Sequence, residues 1–177
     1  MICVGLVGGE STGKSTLAAH LAATLGGVVA TEALRDFVDR TGRPPRNDEQ
    51  RGIFLEQIER AFAAVTDAHA QGCGFVLSDP APLMTAVYSA VYFADDTLTA
   101  EAAAHANETF DLLLWCRPDL PWVADGPQRD GPDERIRADE LLARMLPALA
   151  VPHREVTGLG EARAQTAIDA VQAVALG

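Results

Sequence analysis

Apolar and polar positions along the chain switch repeatedly between two patterns. Met1 to Val7 is a nearly unbroken apolar run, as expected of a strand covered on both faces. A glycine-rich turn follows, then Ser15 to Leu25, where Leu17, Leu21 and Leu25 recur every four residues and predict a helix with one buried stripe. Gly26-Gly27 ends that helix and Val28 to Ala30 reads as a second strand. Ala33 to Arg40 predicts a helix stopped by Gly42 and Pro44-Pro45. Between Asp48 and Gln71, Leu55, Ile58, Phe62 and Val65 fall at three- and four-residue steps, a long amphipathic helix with Asn47 or Asp48 as its cap. Phe75 to Leu77, Asp111 to Cys116 and His153 to Thr157 read as further strands. Met84 to Phe93, Ala100 to Glu108, Asp133 to Leu149 and Glu161 to Leu176 read as helices. Short apolar runs alternating with helical patterns predict an α/β architecture around a five-stranded parallel sheet. No internal repeat or linker interrupts it, so residues 1 to 177 are expected to form one domain.

Composition narrows the function classes. Apolar residues make up 48% and charged residues 22% of the 177, in the range of folded soluble chains. The net charge of −11 argues against a nucleic-acid partner, which calls for a basic face. A small phosphate ligand stays open, because a few aimed donors outweigh a distant negative field. Cys3, Cys73 and Cys116 are scattered, with no metal-ligand spacing and no disulfide framework. No signal-like leader and no window near the roughly 20 apolar residues of a membrane span is present, so a cytoplasmic location with no membrane partner is expected.

The sharpest signal lies between the first strand and its helix. Gly8-Gly9-Glu10-Ser11-Thr12-Gly13-Lys14-Ser15, followed by Thr16, matches G-x-x-x-x-G-K-[ST] at every fixed position. This composition would produce roughly 0.0006 such matches by chance. The glycines let the backbone turn tightly and aim its amides inward, where the positive end of the following helix adds to the grip on phosphate. On that reading the segment binds ATP, Lys14 reaches the β- and γ-phosphates, and the Ser15 hydroxyl ligates Mg²⁺. Lys14 is also the only lysine among 14 basic residues. No lysine is left for the N/T-K-x-D motif with which GTPases of the Ras type read guanine, which points to a compact kinase instead.

Phosphoryl transfer to a hydroxyl also needs an acid near the acceptor and cations for the developing charge. Asp79 ends the Phe75–Leu77 run and suits a carboxylate that orients Mg²⁺, although an Asp before Pro80 also suits a plain loop turn. Glu32 follows the second strand, where strand ends border a ligand crevice, and a helix-start acid explains it as well. The stretch from 117 to 137 is rich in Pro, Gly, Asp and Arg and suits a mobile lid. Arg129, then Arg135, are its candidates for reaching the γ-phosphate, and Asp125 lies between glycine and proline turns. Tyr88 and Tyr92 share one helix face and suit either stacking on an acceptor ring or core packing.

Taken together, the Glu-Ser-Thr form of the phosphate motif, Glu32…Arg35-Asp36-Phe37, Asp79…Thr85 and Trp122-Val123-x-Asp125-Gly126…Arg129 resemble the ribosylnicotinamide kinase domain of bacterial NadR-type NAD-salvage proteins. The resemblance spans nearly the whole chain. It implies a three-layer P-loop fold of the nucleoside-kinase type with an arginine-bearing lid. It implies ATP- and Mg²⁺-dependent phosphorylation of the 5′-hydroxyl of nicotinamide riboside, with Glu32 or Asp79 at that hydroxyl, Arg35 near phosphate or acceptor, and Arg129 in the lid. Two departures fall on the acceptor side: Ala81 stands where the family often has a second acid, and the lid arginine sits one residue late, behind Pro127-Gln128. A kinase for another nucleoside or small metabolite, or an ATP-binding regulatory module, remain the alternatives.

Overall fold

A computed structural model describes residues 1–122 and 131–176. Its strands are β1 (Ile2–Val7), β2 (Gly27–Ala30), β3 (Phe75–Ser78), β4 (Leu112–Cys116) and β5 (His153–Val156). The helices are α1 (Lys14–Leu25), α2 (Ala33–Thr41), α3 (Gln50–Gln71), α4 (Leu83–Phe93), α5 (Thr99–Thr109), α6 (Pro132–Met145) and α7 (Gly160–Leu176). Short one-turn helices at Asn47–Glu49 and Leu146–Ala148 precede α3 and follow α6.

All pairings are parallel and the strand order is β2-β3-β1-β4-β5. The apolar runs are long because both faces of the sheet are covered. In β4, Leu112, Leu114 and Cys116 pack with α1 and α7, while Leu113 and Trp115 face the cluster built by α4, α5 and α6. Period-two alternation therefore separates the two outer layers without any polar residue in β4.

The long helix differs from its sequence reading in its buried face and in its cap. Its buried face carries Ile53, Phe54, Gln57, Ala61, Ala64 and Ala68, whereas Leu55 is 42% and Phe62 64% exposed. Small alanines let α3 approach β2 and β3 closely, and the bulkier residues of the same period are rotated outward. Neither Asn47 nor Asp48 caps it; the Asn47–Glu49 turn leads in, and Glu49 accepts the Arg46 amide at 2.7 Å. Of the stretch expected to form a lid, residues 123–130 lie outside the described residues, while Pro132 starts α6 and places Arg135 and Arg137 on that helix.

Candidate functional site

The phosphate motif joins β1 to α1 at the centre of the sheet, where β1 lies between β3 and β4. Ligand crevices of open α/β sheets form at such strand ends. Gly8 has φ +146°, and a Cβ there would collide with the Cys116 carbonyl and lie 2.9 Å from Thr12 Oγ1. At Gly9 a Cβ would come within 3.0 Å of the Arg135 carbonyl. Glycine is therefore required at Gly8 by both backbone conformation and close approach, while at Gly9 a side chain would crowd Arg135. Thr12 Oγ1 donates to the Gly9 carbonyl at 2.8 Å and closes the loop on itself.

Lys14 Nζ donates to the carbonyls of Gly8 and Gly9, each at 2.8 Å, so its ammonium is held in the hollow of the loop. Ser15 and Thr16 are exposed at the start of α1. Asp79 is 6% exposed, one residue beyond β3, with its amide bonded to Ala30 at 2.9 Å. Burial pushes the Cys116 thiol up to about 11; Lys14 and Arg163 oppose that rise and Asp79 adds to it.

Ala30 pairs with Ser78, so Glu32 and Asp79 stand at neighbouring strand ends. Glu32 precedes α2 without capping it, and its carboxylate lies 3.7 Å from Arg35 Nε. Arg35 itself is exposed on the same helix. On this side a cavity of about 300 Å³ is lined by Glu10 of the phosphate loop, Leu34 and Val38 of α2, Pro44, Pro45, Gln50, and Tyr88, Tyr92 and Phe93 of α4. The rings of Tyr88 and Tyr92 are 5.9 Å apart and tilted by 35°. The tyrosines flagged in the sequence therefore border a hollow beside the loop, and the proline pair, read only as a helix stop, forms part of its rim.

A second hollow of about 410 Å³ lies between Gly13, Thr16, Leu17 and His20 and the start of α7, with Leu120 as one wall. Sequence reasoning missed Arg163 and Asp119, which join this region to the loop. Arg135 is buried on α6 and donates to the Leu120 carbonyl at 2.9 Å. α6 is tied to β4 through Asp139, which accepts from Trp115 Nε1 at 2.9 Å and from Arg117 at 3.1 Å. Burial raises the Asp139 carboxyl, with Arg117 opposing. Asp125 and Arg129 lie outside the described residues.

A family model described as an AAA domain matches residues 3–163. The chain belongs to that family. Among solved structures, a NadR protein in complex with NR aligns at a TM-score of 0.78 and 22% identity over 98% of this chain and 50% of the other. A NadR protein in complex with NAD and AMP-PNP aligns at 0.76 and 21% over 99% and 50%. Deoxyadenosine kinase from M. mycoides with bound dATP aligns at 0.52 and 15% over the full length of both chains. The AAA-domain chain thus spans half the length of the NadR chains and shares their fold. No curated protein sequence matches it. Among the described residues no helix is long and apolar enough to cross a membrane.

Proposed function

We propose that the chain is an ATP- and Mg²⁺-dependent kinase that phosphorylates the 5′-hydroxyl of nicotinamide riboside to give the mononucleotide. The observation that carries this reading is the tyrosine-lined cavity opening against Glu10 of the phosphate loop. A flat heteroaromatic ring packed against this tyrosine pair could leave its ribose directed at the loop, and aromatic contacts of this kind are worth about 0.5–1.5 kcal/mol beyond burial. The fold likeness to NadR bound to NR agrees with it.

In this mechanism the loop amides and the N-terminus of α1 hold the triphosphate. Lys14 exchanges the Gly8 and Gly9 carbonyls for β- and γ-phosphate oxygens. Among the described residues no cluster of three or more metal-ligating acids, histidines or cysteines exists. An exposed Ser15 hydroxyl and one buried Asp79 carboxylate suit Mg²⁺, which keeps most of its waters and is shared with phosphates. Bound there, the ion would neutralise charge on the phosphates.

Asp79 is assigned to the metal because it follows β3, the strand paired directly with β1, from which the phosphate loop leaves. Glu32 is assigned to the acceptor because it stands one strand further out, beside the α2 residues that line the tyrosine cavity. The acceptor oxygen attacks the γ-phosphorus, the bond to the β–γ bridging oxygen breaks, the hydroxyl proton passes to Glu32, and ADP leaves. Arg129 of the lid and Arg135 of α6 supply cationic charge to the transferring group. Arg35 steadies Glu32, and Asp125 contacts the acceptor when the lid closes.

The test is a panel of nucleosides incubated with ATP and Mg²⁺, read as phosphate transferred to the acceptor. Strong stimulation by nicotinamide riboside is expected. Slow ATP turnover that ignores every acceptor would overturn the proposal in favour of a nucleotide-dependent switch.

A further inference from the structure

Arg163 is the fourth residue of α7, within the first turn, where the aligned peptide dipoles already present positive charge. A cation is disfavoured there, and burying it is costly unless oxygens surround it. Arg163 is nonetheless only 5% exposed. Its Nη1 donates to Asp119 Oδ1 at 2.7 Å and to the Gly158 carbonyl at 3.2 Å. Its Nη2 donates to the Thr12 carbonyl at 2.8 Å and to the Arg117 carbonyl at 3.2 Å. Asp119 also accepts the Gly158 amide at 2.6 Å. One side chain thereby joins the phosphate loop, the turn after β4 and the turn after β5.

The contact with Thr12 bears directly on the loop's donors. A peptide unit is planar and trans, so its carbonyl and its N–H point in opposite directions. Holding the Thr12 carbonyl on the Arg163 side aims the Gly13 amide the other way. Leu120 reinforces this from the flank: a Cβ on Gly13 would lie 2.9 Å from Leu120 Cδ1. Burial raises the Asp119 carboxyl, but the Gly158 amide and Arg163 outweigh that and hold it below its ordinary value, so the pair stays ionised.

We propose that Arg163 is a positioning residue for the nucleotide phosphates, holding the Thr12 carbonyl so that the Gly13 amide is aimed before any phosphate arrives. This rests on the kinase reading above. Donors aligned in advance spare the ligand the work of ordering them, so their loss weakens binding without removing a reacting group.

The experiment combines calorimetric titration of ADP with steady-state kinetics on the full chain. Arg163→Met is expected to raise the ADP Kd and the ATP KM about tenfold, with kcat within about threefold and acceptor KM unchanged. Arg163→Lys, which reaches fewer of the four oxygens, should recover about a third of that loss on a logarithmic scale. Asp119→Asn leaves the arginine in place and should raise the ADP Kd about twofold, which keeps the idea testable if Arg163→Met does not fold. A fall in melting temperature with ADP Kd and ATP KM at wild-type values would reduce Arg163 to a structural residue and overturn the inference. Wild-type protein that bound no ADP would instead overturn the kinase reading.

Discussion

The two hollows flanking the phosphate loop are built in different ways. The side next to α7 takes Gly13, Thr16 and Leu17 from one continuous stretch and is braced by arginines held on backbone carbonyls. The tyrosine side is assembled from Glu10 of the phosphate loop, α2, the Pro44-Pro45 turn, the start of α3 and the end of α4, five pieces spread between residues 10 and 93. The bracing on the α7 side acts through two arginine side chains on backbone carbonyls, whereas the tyrosine side is walled by side chains from several elements. On the proposed function, acceptor specificity is expected to change on the tyrosine side.

The largest test of that contrast is Lys14→Ala. It should lower turnover by at least about 10²-fold, by the measure of a lost transition-state donor, while acceptor affinity in a direct titration stays unchanged. A matching loss of acceptor affinity would mean that the two hollows are one coupled site. Tyr92→Ala removes one ring of the tyrosine pair and should raise acceptor KM about tenfold, leaving ATP KM alone. A change confined to ATP KM would reverse the assignment of the two sides.

The smallest effect sharpens the rim. Arg43 donates to both carboxylate oxygens of Glu49 at 2.7 Å, spanning the Pro44-Pro45 turn. The Arg43 hydrogen bonds, with the Arg46 amide, lower Glu49 from 4.5 to about 2. Its depressed folded value means that this contribution is present above about pH 4.5 and is lost as pH falls from there toward 2. Glu49→Gln should raise acceptor KM about two- to threefold at neutral pH, as expected for an exposed pair, and flatten the acid limb of stability between those values. An unchanged acceptor KM would detach the turn from the site.

Much of the site was legible because its signal is local. The eight residues from Gly8 to Ser15 carry their chemistry in consecutive backbone amides, and chain order alone brings them together. The strand-end acids Glu32 and Asp79 could be placed for a related reason: in a parallel sheet every strand ends on the same edge. The buried face of α3 was misread, since Leu55 and Phe62 share a period with residues that do pack. Periodicity marks a stripe but does not say which neighbour will fill it, and here alanines meet the sheet.

Sequence by itself determined the strand–loop–helix that carries the phosphate motif and the alternating order that makes the sheet parallel, because both depend on interactions between near neighbours in the chain. Only the tertiary structure decided that Arg163 supports Thr12 across 151 positions, that Asp119 neutralises it, and that two prolines and two tyrosines share one hollow. Those arrangements follow from how the helices settle on the two faces of the sheet. Packing distances of a few ångströms leave no periodic trace in the order of residues.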